Sequence, residues 1–227
     1  MKRIISILLF LIIFSACKTS ITRTELPIID NSKNLYSFIG KKISVIEFDP
    51  NEHNTIVTID SITGDTIIEK KGYVMDNGFL CKYVVVRNLF NKLEKDTVEF
   101  KAYDHYGRPG FEASNEVVLY LSKSDNGQYF HRKYQFENLF IDSNKKIYSH
   151  PKFLGKGYLE SANELKSFNT EFPKDHKFNI KGLSKDGIKM YYPESYYKIE
   201  DEYAYPIRGM FIEELIKFRL NTTFKDL

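Results

Sequence analysis

The chain has no tryptophan and only two cysteines among its 227 residues. Aromatic burial therefore falls to 18 Phe and 16 Tyr, and Tyr favours sites where an apolar ring meets a wet hydroxyl. Two cysteines, Cys17 and Cys81, cannot build a disulfide framework, and no Cys-x-x-Cys spacing exists for a clustered-cysteine metal site. The five histidines are scattered, so no metal and no cofactor is assigned. An excess of one charge is missing too: 33 Lys and Arg face 30 Asp and Glu. Loss of Lys2 and Arg3 with an N-terminal leader leaves 31 against 30, which excludes the basic footprint of a nucleic-acid binder. No internal repeat appears, which disfavours solenoids and propellers.

Long hydrophobic runs are scarce as well. Lys2 and Arg3 precede an apolar block over residues 4–14, interrupted only by Ser6. Eleven residues fall short of the roughly 20 needed to span a bilayer but suit the core of a signal peptide over residues 1–16. Small Ser15 and Ala16 then stand directly before Cys17. Phe14-Ser15-Ala16-Cys17 resembles the lipobox of bacterial lipoproteins, departing from it in having Phe14 where Leu is commonest. The resemblance implies cleavage before Cys17 and acylation of its thiol, palmitate among the chains, so that the protein is anchored to a membrane without spanning it. Lys18-Thr19-Ser20-Ile21-Thr22 carries neither the Asp nor the acidic run that diverts lipoproteins, so the implied location is the outer membrane, facing the periplasm.

Residues 17–34 are polar and interrupted by Pro27, and read as a lipidated tether. Beyond them the pattern is that of a mainly antiparallel β body, an OB-like barrel or a sandwich, with a short C-terminal helix and α+β overall. Residues 43–48, 79–90 and 97–102 read as strands, and 97–102 alternates with Val98, Phe100 and Ala102 on one face. Hairpins are expected at Thr63-Gly64, at Asn126-Gly127 and at Asp186-Gly187, the last joining 178–183 to 188–192. A helix is expected to start at Ser161 through a capping box, and another over 210–220. An interruption at 142–151 divides a β domain over 35–142 from a smaller hairpin-and-helix module over 152–227. The order of the Tyr83-Val84-Val85-Val86, Asp96-Thr97-Val98-Glu99-Phe100 and Val117-Val118-Leu119-Tyr120-Leu121 strands is similar to netrin-like and TIMP-like domains, which are OB-type barrels.

Four residues carry the candidate chemistry: Asp104, His105, Arg108 and His131. Asp104 orienting His105 as a general base, with Arg108 on an anion, would suit an envelope hydrolase. Neighbours in a strand point to opposite faces, however, and Gly107, Pro109 and Gly110 also describe a plain surface turn. Cys81 with His105 or His131 would make a thiol nucleophile and base, but its apolar setting also fits a buried small hydrophobe. Tyr191-Tyr192 and Tyr196-Tyr197 offer an aromatic platform or ordinary packing, and His53, His150 and His176 read as exposed and inert. The expected function is a lipid-anchored, non-catalytic envelope protein whose body binds a protein, peptide or glycan.

Overall fold

Residues rich in β-branched and aromatic side chains run from Tyr36 to Asn138, and they close into a five-stranded barrel. The computed structural model describes residues 27–52, 55–70 and 72–227; the signal segment, Cys17 and His53 lie outside them. In chain order the elements are β1 (Tyr36–Phe48), β2 (Thr55–Ile59), β3 (Thr66–Lys70), β4 (Asn77–Phe90), β5 (Thr97–Asp104), a 3-10 turn (Gly110–Ala113), β6 (Glu116–Lys123) and β7 (Tyr129–Asn138). The barrel runs β1-β4-β5-β7-β6 and back to β1. All its pairings are antiparallel except that of β5 with β7. With the β2–β3 hairpin set aside, this is the order of an OB-type barrel, which decides between barrel and sandwich.

Closure depends on strands that bend. β1 shifts register against β4 at Ile39/Gly40, and a Cβ on Gly40 would stand 2.8 Å from the Phe38 ring and 3.1 Å from Tyr83. Only glycine fits that close approach. β6 is buried on both faces: Val117, Leu119 and Leu121 enter the barrel core with Phe38, Cys81, Tyr83 and Phe100, while Val118 and Tyr120 pack outward. Its unbroken apolar run reflects that double burial. The β2–β3 hairpin is uncovered, with Val57, Ile59, Ile62, Ile67 and Ile68 all exposed.

The outward side of β6 is covered by the C-terminal segment, namely β8 (Phe140–Ile141), β9 (Ile147–Ser149), α1 (Tyr158–Asn163), β10 (Phe168–Asn169), β11 (Phe178–Asn179), α2 (Lys185–Tyr191), β12 (Tyr197–Glu200), β13 (Tyr203–Pro206), β14 (Arg208–Phe211) and α3 (Ile212–Asn221). From α3, Ile212, Leu215, Ile216 and Phe218 are buried in one cluster with Leu35, Ile39, Phe90, Val118 and Tyr120 of the barrel. Each such side chain contributes about 1.5–3 kcal/mol by leaving water.

Four local expectations change. Asp186-Gly187 is no hairpin turn: the Ser184 hydroxyl accepts from the Gly187 N–H at 3.1 Å and caps α2, while β11 pairs with β13 instead. The Ser161 capping box is unused, since α1 begins at Tyr158 behind Gly157 and Ser161 already donates to the Gly157 carbonyl. The C-terminal helix begins at Ile212, because Met210 and Phe211 pair with β9 as strand. The described part of the stretch read as a tether, from Pro27 on, is docked on the barrel. Asn91, 4% exposed, bonds the Asp30 N–H and the carbonyls of Asp30, Lys33 and Leu35, strapping that stretch to the barrel.

Candidate functional site

β5 and β7 touch through only two register pairs, Phe100 with Tyr129 and Lys101 with Phe130. Past that point the seam between them opens. Leu119 pairs with Phe136 and Leu121 with His131, so residues 132–135 bulge out opposite Tyr120 alone. A bulge of this kind re-aims side chains beside a site. A cavity of about 250 Å³ fills the opening, lined by Ala102, Tyr103 and Asp104 from the β5 side and His131, Tyr134 and Phe136 from the β7 side. Tyr106, Arg108 and the 3-10 turn with Phe111 roof it.

Three of the four candidates, Asp104, Arg108 and His131, thus line one cavity; His105 does not. His105 turns outward, its Nδ1 3.5 Å from Asp76, which also accepts from Lys133 Nζ at 2.7 Å. Opposite faces for Asp104 and His105 are what strand geometry requires. The groups that do meet are held by the protein itself. Asp104 Oδ1 accepts from the Tyr106 N–H at 2.8 Å, holding the turn that Gly107 completes at φ +120°. Arg108 makes a two-pronged pair with Glu112, at 2.7 and 2.8 Å, and its Nη2 also donates to the Val45 carbonyl at 3.0 Å. Its guanidinium covers the Phe79 ring at 5.4 Å.

His131 Nε2 lies 2.8 Å from the Gln135 carbonyl, so Nε2 donates across the bulge. The ring packs edge-on against Phe111 at 4.6 Å, and burial among these aromatics lowers its pKa to about 4. At neutral pH it is an uncharged ring whose Nδ1 accepts, and a weak base. Cys81 is fully buried in the barrel core, with its pKa pushed up to about 12 by burial and then by the Glu112 charge. Its thiol should resist a maleimide in the native protein and react on denaturation; rapid native labelling would contradict this placement.

What remains open at the rim is aromatic. Tyr106 is 86% and Tyr134 45% exposed, with ring centres 6.0 Å apart and planes tilted by 37°. Tyr134 sits at φ +65°, a left-handed conformation that a bulky residue adopts only when its surroundings enforce it. Tyr196 and Tyr197, by contrast, are 1% and 3% exposed and form no platform; they hydrogen-bond the Ala162 and Pro151 carbonyls.

A second polar cluster escaped the sequence reading. His150 is buried, not exposed, and its Nδ1 lies 2.9 Å from Nε2 of half-buried His176, within a ring of Phe140, Phe172 and Phe178. Beneath Tyr120, Arg219 Nε donates to Glu137 Oε1 at 2.6 Å, both residues being 1% exposed. An open cleft of about 550 Å³ beside His176 also takes in Asn115, Asn138 and Asp175. Among the described residues no group of three or more His, Cys, Asp and Glu stands ready for a metal ion, and no helix is long and apolar enough to cross a membrane. Compared with protein-family models, curated proteins and solved structures, the chain matches none of them.

Proposed function

We propose that the protein is a lipid-anchored envelope protein that binds a ligand, without transforming it, in the cavity between β5 and β7. The observation that carries this reading is the state of the cavity's polar groups. The Arg108 charge is taken up by Glu112, one Asp104 oxygen holds the turn, and His131 is too weak a base for general catalysis, while two tyrosine faces stand open to solvent. The position fits an anchor at Cys17. The N-terminal segment joins β4 at Phe90, where Ile28 pairs, whereas Asp104 pairs with Asn77 at the other end of the same 14-residue strand. The two points lie at opposite ends of β4, so the cavity can face away from the lipid surface.

The envelope-hydrolase reading draws on one observation, the convergence of Asp104, Arg108 and His131 on a shared cavity. It needs His131 or Asp104 freed from its present partner, and replacing either by Ala would then abolish turnover. Binding alone predicts no turnover to abolish.

Anchoring is tested through the N-terminus. Cys17→Ala is expected to eliminate incorporation of labelled fatty acid and to release the protein from membranes into the soluble envelope fraction. High salt should leave the wild-type protein on the membrane, since its charge is nearly balanced, and detergent should extract it. Persistence of the fatty-acid label in Cys17→Ala contradicts the anchor. Protease added to intact cells reads the face: protection until the outer membrane is permeabilised is the expected result, and immediate digestion would place the body on the cell surface.

A further inference from the structure

Resting on the reading of this cavity as a ligand site, we propose that its ligand is a neutral saccharide, one pyranose ring of which stacks on Tyr134 and Tyr106. Charge is the first argument. Arg108 pairs with Glu112 and Glu47, and Asp76 is met by Lys133 and His105, so the cation that lines the cavity is already matched, and Asp104 is the carboxylate that lines it with no ion pair among the described residues. An anionic ligand would have to break the Arg108 pairs and meet Asp104, whereas the hydroxyls of an uncharged one donate to it.

The second argument is the kind of surface left over. A pyranose carries axial C–H groups on one face and hydroxyls around its edge, and the site offers the matching halves. Tyr134 and Tyr106 are exposed aromatic residues of the rim, with the Lys133 ammonium over the Tyr134 ring, and Phe111 and Phe136 line the same cavity. Deeper in, Asp104 retains its Oδ2 and neutral His131 its Nδ1 as acceptors for hydroxyl donors. The cavity's 250 Å³ lies below the roughly 300–1,000 Å³ of drug-sized pockets, which suits one sugar ring.

The third argument is Tyr134 itself. A bulge tip at φ +65° is best filled by glycine, yet here it holds a large exposed ring, flanked by Lys133 with its ammonium 5.2 Å from that ring. Tyr134→Gly relieves the backbone and removes the stacking surface together with the ring's contacts to Tyr106 and Lys133.

The test uses the mature chain and a panel of neutral tetrasaccharides of β-linked glucose, galactose and N-acetylglucosamine, with a proline-rich decapeptide alongside, measured by calorimetry or fluorescence. At least one tetrasaccharide is expected to bind with a sub-millimolar Kd that changes less than twofold between 50 and 500 mM NaCl. Tyr134→Gly and Tyr106→Ala should each weaken it at least tenfold while thermal unfolding stays at or above the wild-type midpoint for Tyr134→Gly. Absence of saccharide binding overturns the proposal, as does binding that both variants retain. Peptide binding lost in the same variants, without saccharide binding, overturns the saccharide class and leaves the cavity as a ligand site.

Discussion

Replacing Arg219 by Ala is expected to lower the unfolding free energy by about 3–5 kcal/mol, the range seen when one partner of a buried ion pair is removed. Arg219 and Glu137 are each 1% exposed, and they join α3 to β7 across 82 positions of sequence. Arg219 also donates to the Lys152 carbonyl at 3.1 Å and reaches Thr223 Oγ1 at 3.3 Å. Without it, Glu137 keeps the long hydrogen bond from the Tyr120 hydroxyl at 3.5 Å and loses its short charged one. Its Oε2 already lacks a hydrogen-bond partner, so the buried carboxylate is left poorly satisfied. Exchanging both groups, as Arg219→Met with Glu137→Leu, should recover most of the loss, because the desolvation cost of the pair disappears along with its attraction. Denaturant unfolding of the two single variants and the double variant gives the coupling directly. A loss under 1 kcal/mol in Arg219→Ala would show that the pair does not join the two segments.

Stability should also fall steeply with acid. His131, His150 and His176 are all held uncharged in the folded protein, with pKa values displaced below the ordinary 6.5 chiefly by burial. For His150 the positive charges of Lys152 and Arg219 push the same way, as does His176 once it takes up a proton. Above pH 6.5 these rings are neutral whether the chain is folded or not, so they leave stability unchanged. Below it the unfolded chain binds protons that the folded chain refuses, at about 1.4 kcal/mol per pH unit for each such histidine, until the folded pKa is reached. For His131 that floor is about pH 4. His131 alone should therefore cost roughly 2 kcal/mol between pH 6.5 and 5. Guanidinium midpoints at pH 7, 6 and 5 should decline, and His150→Phe should make the decline shallower. Equal midpoints at pH 7 and 5 would contradict the burial of these rings.

The strands were legible in the sequence wherever one face is wet. Alternation marked β5, and turn dipeptides marked the β2–β3 and β6–β7 hairpins at the right places. Asp186-Gly187 misled because a local dipeptide does not choose between a hairpin turn and the first turn of a helix; Ser184 as cap and the pairing of β11 with distant β13 make that choice. His150 resembled a loop residue between Ser149 and Pro151, and the rings packed on it are those of Phe172, Phe178 and Tyr197, which only the fold brings near. Arg219 matched the helix dipole at the C-terminal end of α3, a surface role, while its true partner lies in β7. At the site, Asp104, His105, Arg108 and His131 were singled out by residue type, and the fold brings Asp104, Arg108 and His131 to one cavity while His105 turns to Asp76. The open rings of Tyr106 and Tyr134 were missed, because a bulge that sets four residues of β7 against Tyr120 leaves no mark in hydrophobic periodicity.

Photo-crosslinking in intact cells tests most directly whether the β5–β7 cavity is where this protein engages the envelope. A benzophenone side chain placed at position 134 lies at the cavity's rim, and one placed at 191 lies on exposed α2, away from it. Irradiation is expected to shift the membrane-bound protein to a heavier adduct from position 134 and not from 191. An adduct from 191 with none from 134, at equal protein levels, would contradict the account.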